Sequence, residues 1–303
     1  MFRGFDRSVP TDARAKRGRP EVGTASGALM PRVGVAASAP LGADVLERLA
    51  QEHEVAFLLT RPDRPRGRGR KVGAPPAKEA AERVGIDVRQ PERLDESVDV
   101  GGVNAMVVAA YGALIPEVLL EQTLWLNVHP SLLPRWRGAA PVERAIMAGD
   151  NETGVTIHRT IPELDAGPIA AQRAFPIGPK DDAGAVYAKA GAIAAELLAE
   201  VLSGPPEFRP QPEEGATYAE RLSPADRELD WNRSPTELLN RIRALSPHIG
   251  AKGVVDGRML IVWRAAPAEP GAALMAGGLE LLEVQPEGRR RMSGEEYLRG
   301  LRA

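Results

Sequence analysis

The 303-residue chain contains no cysteine. Disulfides, thiolate metal sites and cysteine nucleophiles are therefore excluded. Its four histidines are too few to suggest a multi-histidine metal centre, so no metal is expected. Charge of one sign is also missing: a formal net charge of -2 gives no global attraction to nucleic acid or membrane, and any such binding must come from local patches. No apolar run reaches the roughly 18 residues needed to span a bilayer. The longest candidate, Val103 to Ile115, is interrupted by Asn104 and Gly112 and reads as a buried strand plus loop. The expected setting is cytoplasmic, with no membrane partner. There is no internal repeat. The basic stretch near Arg68 lacks the Gly-Lys-Ser/Thr ending of a phosphate-binding P-loop.

The opening of the chain also lacks apolar periodicity. Met1 to Met30 is rich in arginine with no signal-peptide core, and Asp6, Asp12 and Glu21 argue against a transit peptide. Residues 1–29 are read as a disordered extension or a mis-assigned start, because Met30-Pro31-Arg32-Val33 runs straight into a strand.

What is present is an alternation of strand and helix. Apolar segments at 32–37, 55–59, 105–109, 124–128 and 154–158 read as strands. Helical spacing appears at 42–52, 75–84, 141–149 and 183–202. This order predicts an α/β fold with a Rossmann-like, mostly parallel sheet over residues 30–202. Residues 203–216 are proline-rich and polar and read as a linker. From 217 to 303 the pattern changes to one short helix, opened by Ser234-Pro235-Thr236-Glu237 with the form of a capping box, and short strands at 253–256, 259–263 and 278–284. Short strands separated by Gly and Pro predict a small β-barrel.

Two constellations could carry chemistry. Leu126-Asn127-Val128-His129-Pro130-Ser131-Leu132-Leu133-Pro134 places an amide and an imidazole at i and i+2 near a strand end, hence on one face. An amide can donate to a developing oxyanion, and an imidazole can move protons near neutral pH. Taken alone, such an Asn-x-His pair is more often structural. Asp165, before Ala166-Gly167-Pro168, falls in a loop between two strands and would be a turn aspartate if it stood alone. Paired with His129, it is expected to raise the imidazole pKa and fix its tautomer. His158 is expected to line the site. The second constellation is Pro62-Asp63-Arg64-Pro65-Arg66-Gly67-Arg68-Gly69-Arg70-Lys71, a basic loop after the second strand. It is either a solvated turn or a polyanion-binding loop.

These segments resemble the folate-dependent formyltransferases, and among them the family that acts on methionyl-tRNA. The resemblance runs from Met30 to the end. It implies Asn127, His129 and Asp165 as the catalytic set, and Ser131, Leu132, Leu133 and Pro134 as part of a tetrahydrofolate pocket. The tRNA assignment rests on Arg64, Arg66, Arg68, Arg70 and Lys71, which look like the family's loop for the acceptor end. It also rests on Arg135-Trp136-Arg137-Gly138-Ala139-Ala140-Pro141 and on the carboxyl-terminal segments, which resemble an OB-like tRNA-binding barrel. The resemblance thus implies 10-formyltetrahydrofolate as co-substrate, initiator methionyl-tRNA as acceptor, and a monomer. The chain departs from the family at Pro130, where glycine is usual, and at Pro168, where aspartate is common. A formyltransferase for an amino sugar nucleotide is the alternative within the superfamily. A non-catalytic RNA-binding relative is the alternative of another class.

Overall fold

The computed structural model describes residues 31–66 and 71–302. The reading of residues 1–29, and two of the basic-loop arginines, Arg68 and Arg70, lie outside the described residues.

Seven strands form the larger sheet, in the spatial order Ile169–Pro176, Glu152–Arg159, Leu124–His129, Ala105–Ala109, Arg32–Ala37, Glu54–Leu59 and Asp87–Arg89. The last five in that order run parallel, while Glu152–Arg159 is antiparallel to both of its neighbours. The central strands are short and almost continuously apolar because helices cover the sheet. Ala105–Ala109 is buried at every position. On one face Val33, Val35, Val107 and Leu126 pack with the helices Pro40–Glu52 and Ala183–Leu202. On the other, Phe57, Met106 and Trp125 form a second cluster.

Local rules fix where the chain turns. Pro40, Pro76 and Pro141 each open a helix, where the missing N–H costs nothing. The first helix begins so close to the sheet that a Cβ on Gly42 would lie 2.4 Å from the Ala109 carbonyl oxygen, so glycine is required there.

The carboxyl-terminal part has its own core, built from Leu238, Ile242, Leu260, Val262, Leu281 and Val284. Its strands Ala251–Val255, Arg258–Pro267, Met275–Ala276, Leu279–Pro286 and Met292–Ser293 form an antiparallel sheet. Register irregularities around Arg264 bend its longest strand, which curls the sheet into a half-barrel. The helix Pro235–Leu245 carries the expected capping box, with Ser234 and Glu237 exchanging both hydrogen bonds. Among the described residues no helix is long and apolar enough to cross a membrane.

Candidate active site

The strand Leu124–His129 ends at the sheet edge where the parallel strands finish, which is where such sheets bind ligands. It pairs with Glu152–Arg159 in a register that sets Asn127 opposite His158 and His129 opposite Thr156. The loop Thr160–Pro168 then returns Asp165 over this edge. Asp165 and Trp136 both adopt left-handed backbone angles, at φ 47° and 64°. Non-glycine residues rarely do so, and such residues concentrate at functional sites.

Asp165 joins the polar groups. One carboxylate oxygen, Oδ1, accepts from Asn127 Nδ2 at 3.0 Å. The other, Oδ2, accepts from the Gly138 backbone N–H at 2.8 Å and lies 3.6 Å from His129 Nδ1. His129 Nε2 donates to the Trp136 carbonyl at 2.8 Å. A carbonyl can only accept, so this bond puts the neutral ring's proton on Nε2 and leaves the Nδ1 lone pair facing Asp165. The tautomer of His158 is fixed in the same way. Its Nδ1 donates to the Arg159 carbonyl at 3.0 Å, so its Nε2 accepts from Asn127 Nδ2 at 3.2 Å. Both amide hydrogens of Asn127 are therefore engaged, one with Asp165 and one with His158.

Burial lowers the His129 pKa below its ordinary 6.5, and the neighbouring Asp165 charge, which acts to raise it, does not offset that loss of solvation. The carboxylate thus raises the imidazole pKa as expected of the pair, but the net shift is downward: His129 is only 4% exposed, and desolvation of the cation outweighs the attraction. For Asp165, burial pushes upward, but the imidazoles of His129 and His158 and the Gly138 N–H together bring its pKa down to about 2. Near neutral pH the site thus holds a neutral imidazole beside a carboxylate, and a proton arriving at Nδ1 would form an ion pair with Asp165.

The structure places the remaining expected residues as follows. Ser131 is fully buried and gives its hydroxyl to the Arg135 carbonyl at 2.6 Å, and Leu133 is buried too, so both hold the loop's shape. Leu132 and Pro134 are half-buried. Leu132 lies against Gly154, where a Cβ would approach its Cδ2 to 2.3 Å. The loop is pinned through Thr156, whose hydroxyl donates to the Ser131 carbonyl at 2.7 Å and accepts from Leu133 N at 3.2 Å.

The basic segment begins as a small hairpin, with Arg64–Arg66 paired to Lys71–Gly73. Its base is fastened by Asp63, which binds Lys78 at 2.8 Å and Gln90 at 2.8 Å. Arg64 is exposed. His158 lines the site as expected, bonded to Asn127 and 3.6 Å from Asp165 Oδ1.

The chain resembles known proteins in both parts. Residues 33–202 match the formyl transferase family, and residues 221–302 match the formyl transferase C-terminal domain. A methionyl-tRNA formyltransferase from Methylococcus capsulatus is 39% identical over 277 residues, covering 82% of this chain and 90% of the relative. One from Paracoccus denitrificans is 40% identical over 276 residues, covering 84% and 93%. The solved structure of HypX from Aquifex aeolicus in complex with tetrahydrofolic acid shares the fold, with a TM-score of 0.63 at 17% identity over 89% of this chain. This chain spans 47% of that protein's length. At these identities and coverages the chain belongs to the methionyl-tRNA formyltransferase family.

Proposed function

We propose that the protein transfers a formyl group from 10-formyltetrahydrofolate to the α-amino group of methionyl-initiator tRNA for translation initiation, acting as a monomer in the cytoplasm. The observation that carries this reading is the single carboxylate of Asp165 in reach of both Asn127 and His129, in a chain 38–42% identical to methionyl-tRNA formyltransferases over most of its length.

The neutral α-amine attacks the formyl carbon and a tetrahedral oxyanion forms. The bond from that carbon to the folate nitrogen then breaks, and the nitrogen leaves with a proton. Asn127 turns one N–H to the oxyanion. The bond to His158 at 3.2 Å is the longer of its two and the one it exchanges. His129 accepts the attacking amine's proton at Nδ1 and returns it to the departing folate nitrogen. Asp165, with a pKa of about 2, is too weak a base to hold that proton itself. It orients Asn127 and stabilises the imidazolium.

Residues 30–202 form the catalytic domain in this reading, 203–216 the connection and 217–303 a tRNA-binding domain. Ser131, Leu132, Leu133 and Pro134 form part of the folate pocket, the buried Ser131 and Leu133 by holding the shape of its loop, and Arg64, Arg66, Arg68, Arg70 and Lys71 bind the acceptor arm. Arg68→Ala is expected to weaken tRNA binding and reduce its salt slope by about one. An unchanged slope, measured by titration between low and moderate salt, returns the loop to a solvated turn.

The test of the reaction is transfer of labelled formyl from 10-formyltetrahydrofolate to methionyl-tRNA, with an amino sugar nucleotide in parallel. Label on the tRNA alone is expected; label on the sugar alone overturns the acceptor assignment.

A further inference from the structure

The loop that carries Asp165 has no regular structure of its own between Arg159 and Ile169. It holds Asp165 in a left-handed conformation that costs a non-glycine residue on the order of 1 kcal/mol. Something outside the loop must hold it there, and the side chain that does so comes from the connecting segment. Gln211 Nε2 donates both hydrogens to loop carbonyls, at 2.8 Å to Asp165 O and 2.7 Å to Gly167 O. Its Oε1 accepts from Arg137 Nε and Nη2 at 3.1 and 3.0 Å. Arg137 is buried and immediately precedes Gly138, whose N–H holds the Asp165 carboxylate. The backbone and the side chain of Asp165 are thus gripped from two sides, and Arg137 joins the two grips.

The connecting segment and the first residues after it are themselves anchored on the site. Arg209 exchanges two backbone hydrogen bonds with Ile169, at 2.8 and 2.9 Å. Thr217 accepts from Trp136 N through its hydroxyl at 2.9 Å and from Arg137 N through its carbonyl at 2.9 Å. Trp136 is the residue whose carbonyl fixes the His129 tautomer. A Cβ on Gly138 would lie 2.7 Å from Ala219 O, so the chain just past the segment presses directly on this turn.

We propose that the segment joining the two domains completes the active site, with Gln211 as the positioning residue that holds the Asp165 loop in register with His129. The proposal rests on the formyl-transfer reading above. An amide is suited to this position because it can donate twice to carbonyls while accepting twice from a guanidinium. Glutamate, close to it in shape, keeps the Arg137 contact but turns an oxygen toward two carbonyl oxygens.

The test compares the full-length parent with Gln211→Ala, Gln211→Glu and, as a control, Glu213→Ala, whose exposed carboxylate is 3.7 Å from Arg137. Both Gln211 variants are expected to lose roughly 10- to 100-fold in kcat, the scale of loss for a catalytic group displaced by about 1 Å. KM for folate and tRNA should stay within about threefold, and Glu213→Ala should match the parent. Proton spectra give a readout separate from turnover, because the chain has only four histidines. The His129 and His158 signals should move in both Gln211 variants although neither imidazole touches Gln211, while those of His53 and His248 stay. Parent-like kcat with unmoved His129 and His158 signals overturns the proposal. So does a loss of activity that tracks only the fraction of unfolded enzyme. If the parent transfers no formyl group, the reaction reading fails, while the histidine signals still decide whether Gln211 holds Asp165.

Discussion

Asp165 and His129 are tied by charge as well as by position, and this gives a prediction with a definite sign. The carboxylate acts to raise the His129 pKa, so Asp165→Asn lets burial lower it further. The acid limb of kcat/KM should therefore move to lower pH in the variant, while the plateau falls by about 100- to 1000-fold, as for loss of one electrostatic group in a water-excluded site. A pH–rate profile checks both; a limb that moves to higher pH contradicts the assignment. Stability follows the same groups. His129 has a folded pKa below 6.5, so its contribution is fully present above that pH and declines as pH falls beneath it. Asp165, at about 2 against an ordinary 3.8, adds stability above 3.8 that is lost as pH falls toward 2. At this scale the pair Asn127–His129 was legible from strand periodicity, and Asp165 from the resemblance. His158 was legible as a residue lining the site, but its bond to Asn127 and the place of Gln211 were not, because cross-strand register and the path of an irregular segment leave no periodic mark on a sequence.

Loops positioned by glycines bring these residues together. A Cβ on Gly167 would meet the Arg159 carbonyl oxygen at 1.8 Å, two residues from Asp165. Gly167→Ala must therefore move the loop or the strand end. It is expected to cost about 1–3 kcal/mol in chemical denaturation, in line with overpacking elsewhere, and to lower turnover because Asp165 moves with the loop. Parent-like stability and turnover would show that the loop absorbs the change. Long apolar elements, such as the helix Ala183–Leu202, lie where the sequence puts them. The short pair Arg137–Gly138 with Tyr218–Ala219 escapes it, since two-residue strands are defined by a partner distant in sequence.

The two parts of the molecule are fastened by polar as well as apolar contacts. Arg144, in the helix Pro141–Ala148, meets Asp226 in a two-pronged pair at 2.7 and 3.1 Å, and its guanidinium holds that carboxyl well below the usual range. Arg243 donates to the carbonyls of Gly178 and Asp181 at 2.9 and 3.1 Å. Asp226→Ala is expected to lower stability by roughly 1–3 kcal/mol in denaturant titration, the scale of a hydrogen bond to a charged group. No loss would mean that the apolar contacts around Met147, which packs against both cores, suffice alone. The parallel sheet was readable from the alternation of elements, and the second core from the change of pattern after the proline-rich stretch. The curl was expected from the short strands separated by Gly and Pro, but the place where the longest strand bends, at the register shifts around Arg264, was not readable.

In the proposed reaction His129 is the group that moves the proton during formyl transfer. Single-turnover transfer from 10-formyltetrahydrofolate to methionyl-tRNA by His129→Ala, with folate affinity measured on the same protein, is the decisive measurement. The predicted result is a fall in rate on the order of 100-fold or more with folate binding kept. A near-parental rate would contradict it.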